Sequence, residues 1–147
     1  MKHNILFFLF ILFVIVLTGC KSEKEPIQYG KDACDHCKML AMDPRFGAEI
    51  ITAKGKIYKF DDINCMVLFM NNPATNPGAI AEIYVIDYSN PQAFIKAEDA
   101  FYIQSDLIRS PMASGVAAFA TIESRYDQQQ TLQGIELQWQ ELTTKFK

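Results

Sequence analysis

Between Cys34 and Gly47 the chain reads CDHCKMLAMDPRFG, which places two cysteines, one histidine and two methionines within nine positions. Sulfur at that density can form a disulfide, hold zinc, attach haem or bind copper. Haem attachment needs Cys-x-x-Cys-His, and Lys38 stands where that histidine would be. A thioredoxin-type pair sits at a helix start behind a strand, where the helix dipole lowers the first thiol's pKa. Here the pair follows a polar segment, and Pro44 and Gly47 arrive too soon for a long helix. Zinc has candidate donors in Cys34, His36, Cys37 and Cys65, the number a closed site needs. His36 lies between the two cysteines, where its ring tends to turn away from the centre they share. It is expected to face solvent or to stand behind the ligands.

The methionines favour copper(I). A thioether suits a soft monovalent ion and serves zinc poorly. Cys37 and Met39 are two residues apart, so in extended chain their side chains share a face. Met42 follows closely. Met112 lies far away in SPMASG, flanked by residues too small to bury it, which makes it a candidate second arm. Met66 and Met70 fall on the apolar face of a predicted helix and are expected to pack in the core. Cys65 lies on the same helix beside that face and reads first as a packed thiol, second as a ligand. Asp61 and Asp62 suit helix capping better than acid catalysis.

The elements that must position these groups follow from periodicity. Gly47 to Ala53 and Lys56 to Phe60 predict a hairpin turning at Lys54-Gly55. A helix is expected from the Asp61-Asp62 cap through Met70, then a loop over 71–78 and a strand over 81–88. The plan recurs with strands over 100–104 and 116–120, a helix over 121–130 capped by Thr121, and a strand over 134–141. Phe60 and Ile63 recur as Phe119 and Ile122 at the same spacing. The expected fold is α+β, two small similar ββαβ-like lobes, about 33–90 and 91–147, packed together because neither alone buries a core.

The amino terminus addresses the chain to the cell envelope. Ile5 to Leu17 is an unbroken apolar run of 13 residues, the core of a signal peptide and short for a membrane span. It ends in Leu17-Thr18-Gly19-Cys20, which resembles a bacterial lipoprotein signal: residues 1–19 removed, Cys20 lipidated, and 20–32 a charged tether ahead of a domain over 33–147. The site would then face the periplasm or the cell exterior. Loss of Lys2 leaves 13 basic residues against 17 acidic ones. That balance argues against nucleic acid as a partner and leaves the lipid as the expected membrane contact. Setting Cys20 aside, three of the four cysteines remain, and an odd number cannot all pair internally. No nucleophile–base pair or phosphate-cradling glycine loop appears, so a carrier is expected rather than an enzyme.

The motif Cys37-Lys38-Met39, with AMDPRFGAEI, YKFDDINCM and PMASGVAAFAT behind a lipoprotein-type signal, resembles the NosL family. These are copper(I)-binding accessory lipoproteins of nitrous oxide reduction. The resemblance runs from about Cys34 to Leu142. It implies a monomer with an α+β fold distantly like organomercurial lyase, and Cu(I) delivery to nitrous oxide reductase through NosDFY-type membrane machinery. It puts Cys37 and Met39 on the family's cysteine-x-methionine and Met112 on its late methionine. The additional Cys34 departs from that pattern and leaves open a two-thiolate site or a removable disulfide. Two other classes stay open beside it: a thiol-disulfide or zinc-binding interaction module, and a lyase-like enzyme acting on organometals.

Overall fold

A computed structural model describes residues 23–75 and 77–146. The signal segment and Cys20 lie outside the described residues. Among the described residues seven strands form one sheet in the order β2 (Ile57–Phe60), β1 (Ala48–Thr52), β3 (Ile80–Asp87), β6 (Val116–Phe119), β5 (Phe101–Gln104) and β7 (Ile135–Leu137), with β4 (Asn90–Lys96) also pairing β3. β1 (Ala48–Thr52) and β2 (Ile57–Phe60) make the expected hairpin, and Gly55 turns it with φ 81°. β3 (Ile80–Asp87) lies antiparallel to β1, while β5 (Phe101–Gln104) pairs antiparallel with both β6 (Val116–Phe119) and β7 (Ile135–Leu137). Each half therefore places its first strand between its second and its last. The halves meet where Asp87 of β3 pairs in parallel with Ala118 of β6. The main hydrophobic cluster draws on both halves, from Cys34, Ile50 and Met66 to Tyr102, Val116 and Leu142, so the core does not divide where the sequence repeat does.

α1 (Ile63–Asn71) buries Ile63, Cys65, Met66, Val67 and Phe69 against the sheet. Each such side chain contributes roughly 1.5–3 kcal/mol through apolar area removed from water. Met66 is fully buried, as its place on the helix face requires, and Met70 is partly buried against the same cluster. α2 (Ile122–Leu132) is polar, and Arg125 is its one buried residue.

Two elements correct the sequence reading. β4 (Asn90–Lys96) has no counterpart in the expected plan; it forms an edge strand paired to β3, where proline is tolerated. The strand expected over 134–141 stops at Leu137 and is followed by α3 (Trp139–Lys145). The alternation of Ile135, Leu137 and Trp139 imitates a strand. A capping box between Gln138 and Glu141 starts the helix instead, and Leu142 fills the core. Residues 25–32, which composition assigns to the tether, lie against the sheet. Ile27 is buried, the Glu25 N–H meets Glu49, and Lys59 reaches the Pro26 carbonyl and Asp32. No helix among the described residues is long and apolar enough to cross a membrane.

Candidate metal centre

The centre lies at the amino end of α1, where β2 gives way to the helix. Asp62 is the cap: its backbone is extended and its Oδ1 accepts the Asn64 N–H at 2.8 Å. This puts Cys65 in the first turn, four residues after Asp61, both facing inward. A loop ahead of β1 lies over them. Within it the Lys38 N–H bonds the Cys34 carbonyl at 3.0 Å, and the Cys34 N–H bonds the Met39 carbonyl at 2.8 Å. Lys38 adopts the left-handed region, φ 66°, so the chain bends between Cys37 and Met39 rather than running extended. Asp35 staples the loop to β2 by two bonds with the Lys59 backbone, at 2.8 and 2.9 Å.

The result is a cluster of four donors. One ligand atom from each of Cys34, Cys37, Asp61 and Cys65 lies within 4.8 Å of every other. Cys34, Cys65 and Asp61 are buried, Cys37 is half-buried, and all three thiols are free. The Cys37 thiol faces both Asp61 carboxylate oxygens at 3.7 Å. The Cys65 thiol donates to Cys34 Sγ, joined by the backbone N–H groups of Asp61 and Cys37. Together they hold Cys34 down to about 6, against the cost of burial. Cys65, which keeps its proton for that bond, is pushed well above the ordinary thiol range. Burial raises Cys37, and the charge on Cys34 adds to it. The hydrogen bonds therefore favour the thiolate at Cys34 over Cys37 and Cys65.

The loop 110–115 closes the other side. Asp62 Oδ2 accepts the Met112 N–H at 2.9 Å, and Asp62 Oδ1 accepts the Ser114 hydroxyl at 2.9 Å. Ser114 and Ser110 share a further bond, and the Gly115 N–H donates to Ser110. Gly115 has φ 64°, and a Cβ there would stand 2.5 Å from the Ser105 carbonyl oxygen, so only glycine turns the chain into β6. This pins Met112, partly buried against the cluster that Cys37 also touches, to the residue after Asp61.

The sequence-predicted donors thus fall at three depths. Cys34 and Cys37 are in the four-donor cluster, with Cys65, which the sequence places first in the core and second at the metal. Met112 is tied beside it. Met39 and Met42 stand outward, 50% and 66% exposed, with Leu40 between them at 49%. His36 is not among the four. Asp61 was missed as a donor, because Asp-Asp before a helix reads as capping; its spacing of four from Cys65 was the available signal.

The NosL family model matches residues 27–146 of the chain. The fold is similar to the crystal structure of the copper chaperone NosL from Shewanella denitrificans, with a TM-score of 0.68 at 19% identity, over 83% of this chain and 96% of that one. No curated protein sequence matches significantly.

Proposed function

Because the chain belongs to the NosL family, we propose that it is a copper chaperone that carries Cu(I), rather than an enzyme. The observation that best supports this reading is the gathering of three free thiols within 4.8 Å of one another at a buried helix end, with only Cys37 reaching toward solvent. Soft thiolates hold a soft monovalent ion well. In this reading Cys34 and Cys37 hold Cu(I) as thiolates, Met39 and Met112 close the mouth with thioethers, and Cys65 supports Cys34 from below. Met42, further out on the same loop, meets the ion or its acceptor first. Thioethers leave one at a time, so an acceptor's ligands replace them stepwise without release of free ion. A lipid on Cys20 would keep the mouth near a membrane partner and raise its effective concentration. The acceptor is nitrous oxide reductase, reached through a NosDFY-type complex, and the protein works as a monomer in the cell envelope, facing the periplasm or the exterior.

The test is anaerobic Cu(I) titration of the reduced protein against a competing chelator. One Cu(I) per chain is expected, with all three thiols protected from alkylation. Cys37→Ser is expected to weaken binding roughly 100-fold and Met39→Leu roughly tenfold, with Met70→Leu unchanged. Equal losses at Met39 and Met70 would mean the thioether at the mouth is not a ligand. A protein that ignores Cu(I) ends the reading.

A further inference from the structure

The segment 25–32 that lies against the sheet also walls an apolar groove. The groove runs between Pro26, Ile27 and Tyr29 of that strap, Pro44 ahead of β1, Ile86 of β3 and Phe94 of the edge strand β4. Among the described residues no charged side chain lines it, and its volume of ≈ 510 Å³ falls in the range of small-ligand sites. Its wall is held in place. Both Glu49 oxygens accept the Glu25 N–H, at 3.1 and 3.2 Å, and the Pro26 carbonyl accepts from Lys59 Nζ at 3.2 Å. Gly47 lets the strap seat, since a Cβ there would stand 2.5 Å from Tyr29 Oη and 2.6 Å from Ile27 Cδ1. The Tyr29 hydroxyl donates to the Pro44 carbonyl at 3.3 Å and ties strap to loop. Burial, joined by the charge of Asp43, pushes that phenol up to about 12, so the groove stays neutral there.

The chain ahead of the strap says what covers this wall. Pro26 lies six residues after Cys20, and six residues span at most roughly 20–22 Å. A group carried on Cys20 stays within that reach, at a local concentration that a free ligand does not match. An acyl chain that leaves a bilayer for the groove passes from one apolar medium to another. The gain is the groove wall withdrawn from water. A methylene is about as large as a water molecule in the liquid, roughly 30 Å³, so the groove has room for one acyl chain and not for two.

We propose that this groove binds one acyl chain of the lipid on Cys20. It rests on Cys20 being lipidated and is independent of the metal. The rest of the lipid stays in the bilayer. The domain is then held against the membrane through strap and groove instead of hanging from a free tether. Pro44 stands two residues from Met42, so the loop with the exposed methionines is kept beside the anchor.

The experiment uses the full chain made in cells fed a diazirine-bearing palmitate analogue. It is purified from membranes and reconstituted in phosphatidylethanolamine–phosphatidylglycerol vesicles, and its intact mass reports the lipid on Cys20. On irradiation, crosslinks within the chain are expected on peptides carrying Ile27 and Tyr29, Ile86 or Phe94, at least fivefold above those on α2. Phe94→Glu is expected to reduce them at least fivefold while Cu(I) affinity stays within twofold. Pro44→Glu, at an exposed loop position, should do the same and serves if Phe94→Glu does not fold. An acylated chain whose probe labels only vesicle lipid, or only a second copy, overturns the groove assignment and leaves the lipid anchor standing. A chain without lipid overturns both. If Cys20→Ala takes free palmitate probe at these peptides while the acylated chain shows no internal crosslink, the groove belongs to a free amphiphile and the attached chain is overturned as its occupant.

Discussion

At the amino end of α1 the chain reads Phe60-Asp61-Asp62-Ile63-Asn64-Cys65, and at the amino end of α2 it reads Phe119-Ala120-Thr121-Ile122-Glu123-Ser124. Both junctions leave a strand at a fully buried phenylalanine. Both caps have extended backbone, and each side chain accepts an N–H from the first turn, at 2.8 Å for Asp62 and 3.1 Å for Thr121. From there they diverge. Asp61, Asp62, Ile63 and Cys65 are buried, whereas Ala120 and Thr121 are exposed and Ile122 is 49% exposed. The cause is what lies over each junction. The Cys34–Met39 loop and the 110–115 loop cover the first. The long β5–β6 connection of the second half reaches across to the first half's helix, while the β1–β2 connection is a tight turn. Two similar strand-to-helix junctions supply two helix ends, and the loops that cover one of them build the candidate metal centre.

The sharpest way to break this comparison is to remove the two caps. Asp62 accepts from Asn64, Met112 and Ser114, so Asp62→Ala removes the cap and the anchor of the 110–115 loop together. It is expected to cost about 2–4 kcal/mol in urea unfolding and to weaken Cu(I) binding, because Met112 loses its tether. Thr121→Ala should cost about 1 kcal/mol and leave Cu(I) binding alone. Equal costs would mean that Asp62 caps a helix and nothing more. A smaller effect follows at the third helical position of each. Cys65→Ser is expected to lower Cu(I) affinity about tenfold, close to 1.4 kcal/mol. Ser124→Ala, in the uncovered junction, should leave it unchanged in the same chelator competition. An unaffected Cys65→Ser would return Cys65 to the role of core filler.

Much of the frame could be read from the sequence, because it rests on local signals. The Gly55 turn, the caps at Asp62 and Thr121 and the buried face of α1 all lie within a few residues of the features that announce them. β4 and α3 escaped because local pattern contradicts outcome: a proline stands second in β4, and alternating apolar residues run up to the start of α3. The centre was visible in composition, in Cys34, Cys37 and the nearby methionines. It was not visible in depth. Whether Cys65 packs or binds depends on a loop from 31 residues upstream lying across it, and no periodicity in α1 encodes that. Asp61 is the same case, since a second aspartate beside a cap looks redundant until three sulfurs surround it.

The central strands differ as well, for each half buries a titratable side chain in one of them. Glu49 in β1 stands opposite Lys59 and Tyr84, and Tyr102 in β5 stands opposite Ala118 and Leu137. Both are almost wholly buried. The Tyr102 hydroxyl donates to the Ala97 carbonyl at 2.6 Å, a neutral bond that does not titrate below alkaline pH. The Glu49 carboxyl accepts the Glu25 N–H on both oxygens, at 3.1 and 3.2 Å, and burial pushes it up from 4.5 to about 7. The folded chain then keeps a proton that the unfolded chain releases. The stabilisation is complete below pH 4.5 and is lost as pH rises through about 7. Glu49→Gln is neutral at every pH, so its unfolding free energy should fall less between pH 5 and pH 8 than that of the unaltered chain, with no gain at pH 5. Tyr102→Phe should lose about 1 kcal/mol equally at both. If Glu49→Gln keeps the full slope, the proton is held elsewhere, and the first half's central strand is no more pH-sensitive than the second's.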